Sequence, residues 1–131
     1  MFFLGKLDVE KYQCVCSKTI ITDEVIITEN RIEHIIERRG KEFYECFKDY
    51  FFDIIADPDF IFKDKKENTA IVSKSFEFHG KVVNIVLRLT VEGEDPRYKN
   101  SVITAIGESE KRFAQRLRNN EPLYKKLDND E

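Results

Sequence analysis

Apolar and polar positions repeat with two different periods along this chain, and the change falls near Asp57-Pro58. Upstream the helical period dominates. Phe43, Phe47, Tyr50, Phe51, Ile54 and Ile55 recur at i, i+4, i+7, i+8, i+11 and i+12, one stripe of a helix predicted over about Lys41–Ala56. Asp57-Pro58 stops it, because a residue before proline avoids the α region. An earlier helix is expected from about Asn30, with Asn30 as N-cap, Glu33 reaching back in a capping box, and Gly40 as the C-terminal stop. Residues 19–28 are rich in β-branched side chains and read as short extended segments.

Downstream the period becomes two. Phe60-Ile61-Phe62 is a short strand, and Thr69–Phe78 and Lys81–Val91 form a hairpin around the turn residues His79-Gly80. On the second arm Val83, Ile85, Leu87, Leu89 and Val91 share one face, while Asn84, Arg88 and Thr90 occupy the other. On the first arm Ala70, Val72, Phe76 and Phe78 oppose Thr69, Ser73, Ser75 and Glu77. One sheet face is therefore expected to receive helices and the other to stay polar and open. A loop over Glu92–Tyr98, a strand over Asn100–Ile106 and a helix over Glu108–Asn119 follow. The order predicts one α+β domain: N-terminal helices packed on one face of a roughly four-stranded antiparallel sheet, with a C-terminal helix. Residues 1–18 read as an N-terminal extension and 127–131 as an acidic tail.

Composition narrows the class. A chain of 131 residues can bury one core without disulfides or metal. No apolar run approaches the roughly 18–20 residues of a membrane span, and Met1–Gly5 is too short for the apolar region of a signal peptide. No membrane contact and a cytoplasmic location are expected. Cys14, Cys16 and Cys46 are an odd set, and Cys14-Val15-Cys16 lacks the second pair of ligands that zinc needs. Reduced thiols, no metal and no cofactor are the expectation. The net charge of −3 argues against indiscriminate nucleic-acid binding, yet residues 97–126 carry eight Lys or Arg against three Glu. Such a local basic segment fits an RNA contact face or an ordinary amphipathic helix.

Three groups could carry chemistry. His34 lies off the stripe Ile32, Ile35, Ile36, with Arg31 and Arg38 one helical turn to either side, an imidazole base beside phosphate ligands. Arg88 interrupts an apolar strand and offers a guanidinium fork. Lys99, Ser101 and Thr104 surround another strand, but strand parity puts Lys99 and Ser101 on one face and Thr104 on the other unless the strand is bulged. Glycine-rich phosphate loops, Walker motifs, H-E-x-x-H and nucleophile elbows are absent. Asp57 and Asp59 are accounted for by a helix stop and a strand start.

The runs Ile21-Thr22-Asp23-Glu24-Val25, Arg31-Ile32-Glu33-His34-Ile35, Asp57-Pro58-Asp59-Phe60-Ile61 and Tyr98-Lys99-Asn100-Ser101-Val102-Ile103-Thr104 resemble, in order and spacing, the phage-associated nuclease-like domains of the barnase–EndoU–colicin–RelE superfamily. The resemblance covers about residues 20–126. It implies a small α+β domain and a metal-independent endoribonuclease of prophage or toxin type, cleaving by 2′-OH transesterification. It carries over His34, Arg38, Lys99, Asn100, Ser101 and Thr104. Joined to the reading of the residues, the expected catalytic set is His34, Arg38, Arg88, Lys99 and Thr104, and the expected substrate-binding set is Asn100, Ser101, Arg112 and Arg116. The implied partners are RNA, such as tRNA or another structured RNA, and an immunity or antitoxin protein. Related sequences tend to read H-I-x-E-R-H, and here Arg39 stands in place of the second histidine. That replacement and the acidic net charge favour an alternative. It is a non-catalytic, prophage-encoded module on the same fold that binds nucleic acid or protein, using Lys111, Arg112, Arg116 and Arg118.

Overall fold

The computed structural model describes residues 1–127, apart from the side chain of Phe78. Among them seven strands form one mixed sheet: β1 Phe2–Lys6, β2 Glu24–Ile27, β3 Phe60–Lys63, β4 Thr69–Phe76, β5 Lys81–Arg88, β6 Asn100–Ser109 and β7 Tyr124–Lys125. Their order across the sheet is β1-β2-β6-β5-β4-β3-β7. The central strands β3 to β6 are the antiparallel meander that the period-two segments predict. The hairpin between β4 and β5 closes through a 3-10 turn over Glu77–His79, with Gly80 left-handed at φ 63°.

The sheet is wider than the four antiparallel strands expected. β2 runs parallel to β6, pairing Val25 with Asn100 and Ile26 with Ser101. β7 is only two residues long and pairs with β3, too short to leave a periodic trace. Residues 1–18 are likewise no appendage. β1 pairs antiparallel with β2, Asp8 caps the short helix α1 (Val9–Tyr12), and Tyr12 is fully buried with its hydroxyl donating to Ile55 O at 2.6 Å. Of the expected acidic tail, residues 128–131 lie outside the described residues.

Helix α2 (Glu29–Arg39) starts one step before the expected cap: Thr28, not Asn30, accepts the Arg31 amide on its hydroxyl at 3.3 Å. The stretch predicted as one helix is broken into α3 (Lys41–Phe47), a 3-10 turn over Lys48–Tyr50, and α4 (Phe51–Ala56). The break preserves the direction of the stripe, so Phe47, Phe51, Ile54 and Ile55 are all buried. They join Val72, Val83, Ile85 and Leu87 in the main core, between α1–α4 and one sheet face.

The opposite face is not open. Helix α5 (Glu110–Asn119) packs there, where Phe113 meets Phe60 at 5.4 Å and Phe62 at 6.1 Å between ring centroids in a second, smaller cluster. Alternation alone marked this face as polar. Its polar members Ser73 and Asn84 are instead buried in a network running to the helix. Ser73 Oγ donates to Asn84 Oδ1 at 2.5 Å, and Asn84 Nδ2 donates to Glu108 Oε1 at 2.7 Å. The Arg116 guanidinium donates to both Glu108 oxygens, at 3.2 and 3.1 Å. Buried polar groups are tolerable when satisfied in this way. No helix among the described residues is long and apolar enough to cross a membrane.

Candidate functional site

The parity conflict in the penultimate strand is settled by a bulge. Val86 pairs with Thr104 and Leu87 with Val102, so Ile103 is an extra residue in β6. An inserted residue reverses the alternation beyond it. Val102 before the bulge and Ala105 after it both point into the main core. Ser101 and Thr104 therefore share the face of their β5 partners Arg88 and Val86.

At the end of that face away from α5 lies a cavity of about 400 Å³, lined by Met1, Ile26, Arg88, Thr90, Glu94, Arg97, Tyr98, Lys99 and Ser101. Two turns build its rim. Val91–Glu94 folds back with Gly93 at φ 94°, and Glu94 Oε1 accepts the Val91 amide at 2.9 Å. Asp95–Tyr98 is a turn with Pro96 at its second position, where its fixed φ suits it; Tyr98 N donates to Asp95 O at 3.0 Å. Asn100 pins the cavity from beneath: its Oδ1 accepts Thr90 N at 2.9 Å and its Nδ2 donates to Thr22 O at 2.8 Å. Thr90 Oγ1 donates to Lys99 O at 3.1 Å.

The cations of the cavity are each matched. Arg88 makes a bidentate pair with Glu94, Lys99 Nζ lies 2.9 Å from Glu24 Oε2, and Arg97 chelates Asp95, the closest approach being 2.8 Å. The Arg88 hydrogen bonds hold the Glu94 carboxyl below the usual glutamate range, and Arg97 does the same for Asp95. These pairs are not equally firm. The Arg97 side chain is 88% exposed, and an ion pair so hydrated contributes little and exchanges readily for another anion. Beside it Tyr98 is 61% exposed, a large ring held at the cavity mouth without burial.

Of the residues singled out from sequence, Arg88, Lys99 and Ser101 meet in this cavity. Asn100 is structural, fully buried beneath it. Thr104 shares the face but not the lining, and its Oγ1 is buried. His34 and Arg38 lie on α2, half-buried and exposed respectively, and neither lines the cavity. Arg116 is engaged with Glu108 as an anchor of α5. Arg112 is exposed on the same helix, whose N-cap Ser109 accepts the Arg112 amide at 3.2 Å. Arg39 is also structural: its Nε donates to Ala105 O at 3.1 Å, satisfying the edge of β6 beyond its short pairing with β2. Sequence reasoning missed Thr90, Glu94, Arg97 and Tyr98. The Asp-Pro-Arg-Tyr turn, which places a cation and an aromatic side by side, was the signal that could have found the last two. Among the described residues no three His, Cys, Asp or Glu side chains are grouped to hold a metal ion. No protein-family model matches the chain, and no curated protein or solved structure shows significant similarity to it.

Proposed function

We propose that this protein is an RNA-binding module, taking a single-stranded segment, such as the loop of a structured RNA, on the open end of its sheet. One observation carries the reading: Tyr98 is held exposed between Arg97 and Lys99 at the mouth of a cavity that continues to Arg88 and Ser101. An unstacked base has a face for the ring, and bases in loops are the ones available to stack. Arg97 and Lys99 meet flanking phosphates by exchanging their carboxylate partners, and Ser101 and Thr90 offer hydroxyl groups within. The net charge of −3 suits local, shape-limited contact better than tight coating of a duplex.

RNA cleavage is the second reading, favoured by the presence of Glu94 beside three cations. It asks more of the site. A carboxylate held below its ordinary range is a weak base, and His34, the expected base, lines no part of the cavity.

Fluorescence anisotropy with a labelled hairpin RNA and its fully paired counterpart tests both. Tighter binding to the looped RNA is expected, with Tyr98→Ala weakening it by about 1–3 kcal/mol and Lys99→Met lowering the salt slope by about 0.7. Equal binding of both RNAs, or variants indistinguishable from the parent, would refute the module. Fragments with 2′,3′-cyclic phosphate ends that vanish in Glu94→Gln or His34→Ala would establish cleavage instead.

A further inference from the structure

A second cavity, of about 450 Å³, lies where α3 passes the β4–β5 hairpin, and Arg39, Glu42, Cys46, Phe47, His79 and Lys81 are among its lining residues. Cys46 Sγ stands 3.4 Å from His79 Nε2 and 3.9 Å from Nδ1. The imidazole is seated edge-on against Phe47, 5.1 Å between ring centroids. Cys46 and His79 are 33 residues apart and come from a helix and a turn, so only the fold makes them a pair. None of these groups belongs to the cavity at Tyr98.

The other two cysteines provide an internal contrast. Cys14 Sγ donates to Lys11 O at 3.4 Å, and burial pushes its thiol up. Burial raises the Cys16 thiol as well. Among the described residues Cys46 is the cysteine with an imidazole within reach of its proton, and it opens into a cavity walled by two cations, Arg39 and Lys81, against one carboxylate, Glu42.

We propose that Cys46 is a nucleophilic thiol that exchanges with low-molecular-weight disulfides carrying carboxylate groups. With the imidazole proton on Nδ1, Nε2 accepts the Cys46 proton. The thiolate attacks one sulfur of the disulfide and a protein–ligand S–S bond forms. The original S–S bond breaks, and the second thiol leaves as a thiolate that takes the proton back from the imidazolium. The oxidant is the disulfide itself, so electrons and protons balance. Lys81 and the Arg39 guanidinium, whose Nε is occupied by Ala105 O, receive the carboxylates.

The full chain is incubated with glutathione disulfide, quenched with acid at intervals, and the occupancy of Cys14, Cys16 and Cys46 read by peptide mass mapping. Cys46 is expected to react about tenfold faster than Cys14, with His79→Gln removing the advantage, because exchange rate follows the availability of the thiolate. Hydroxyethyl disulfide, which lacks carboxylates, should show the His79 effect but react more slowly, and Lys81→Met should narrow the difference between the two reagents. Cys46 reacting no faster than Cys14, or a His79→Gln variant that reacts like the parent, would overturn the proposal. Equal rates for the two disulfides would overturn its carboxylate specificity. His79 and Lys81 are both exposed, and a urea melt of each variant separates lost reactivity from lost packing against Phe47.

Discussion

Replacing Glu108 by Gln tests whether α5 is fastened through the ion pair beneath it. Glu108 is 10% exposed at its side chain and accepts three hydrogen bonds, two from Arg116 and one from Asn84. Glutamine keeps the shape and the acceptor for Asn84, but turns an amide NH₂ toward a guanidinium that can only donate. A hydrogen bond to a charged group contributes about 1.5–3 kcal/mol, and breaking a fully buried pair costs about 3–5 kcal/mol. Arg116 is 30% exposed, so water recovers part of the loss, and about 2 kcal/mol is the expected cost. At a urea m-value of about 1–3 kcal/mol/M, that moves the midpoint by roughly 1 M. Circular dichroism is the suitable probe, since the chain has no tryptophan.

The pH dependence gives a second, independent check. Burial opposes ionisation of Glu108, yet the hydrogen bonds from Arg116 and Asn84 outweigh it and hold the carboxyl below the usual range. A folded-state pKa below the unfolded one stabilises above the ordinary glutamate value of about 4.3. That contribution disappears as pH falls through the lower folded value. The gap between parent and Glu108→Gln should therefore be full at neutral pH and close in acid. A gap that is absent at neutral pH, or that persists unchanged in acid, refutes the argument. Glu108→Gln combined with Arg116→Met should recover most of the stability, because it removes the stranded guanidinium while the glutamine still accepts from Asn84.

Other perturbations test the frame of the site and the edge of the sheet. Asn100→Ala strands Thr90 N–H and Thr22 C=O, each costing about 1–3 kcal/mol if it stays buried; urea melts should show a loss of about 3 kcal/mol, and a loss confined to RNA affinity would contradict the structural role. Gly5→Ala, at a φ of 152°, places a Cβ 2.5 Å from two carbons of the Phe52 ring; thermal melts should show about 1–3 kcal/mol of destabilisation, only partly relieved by Phe52→Leu because the backbone strain stays, and a neutral result would refute both the clash and the strain.

The central meander was legible because the face of β4 and β5 toward the main core takes mostly apolar side chains while the face toward α5 mixes polar with apolar ones, which writes period two into both strands. The broken helix was legible as a stripe but not as a break, since the 3-10 turn at Lys48–Tyr50 leaves Phe47 and Phe51 pointing inward. What was hidden has a common cause: it depends on partners distant in sequence. The bulge at Ile103 appears locally only as an apolar run with no preferred face. The polar row Ser73, Asn84, Glu108 gave no hint that Arg116 would cover it. For the candidate site, Arg88, Lys99 and Ser101 could be found from cations and hydroxyls placed on strands. Tyr98 and Arg97 required knowing which way a loop turns, and the separation of His34 from them required knowing which sheet face α2 occupies.

The parallel pairing of β2 with β6 has a consequence for how the chain comes off the ribosome. Its partners, Val25 with Asn100 and Ile26 with Ser101, and the Glu24–Lys99 ion pair across 75 residues, cannot form until most of the protein has been made. β4, β5 and β6 follow one another and can assemble as soon as they emerge, since contacts close in sequence carry the smaller loop-closure penalty. The N-terminal strands, although synthesised first, are thus expected to dock late. Pulse-labelled hydrogen exchange should protect Val72, Val83 and Ile85 before Val25 and Ile27. In the interval Val25, Ile26 and Ile27, which the finished fold buries, stand uncovered, an apolar segment exposed to any neighbouring chain.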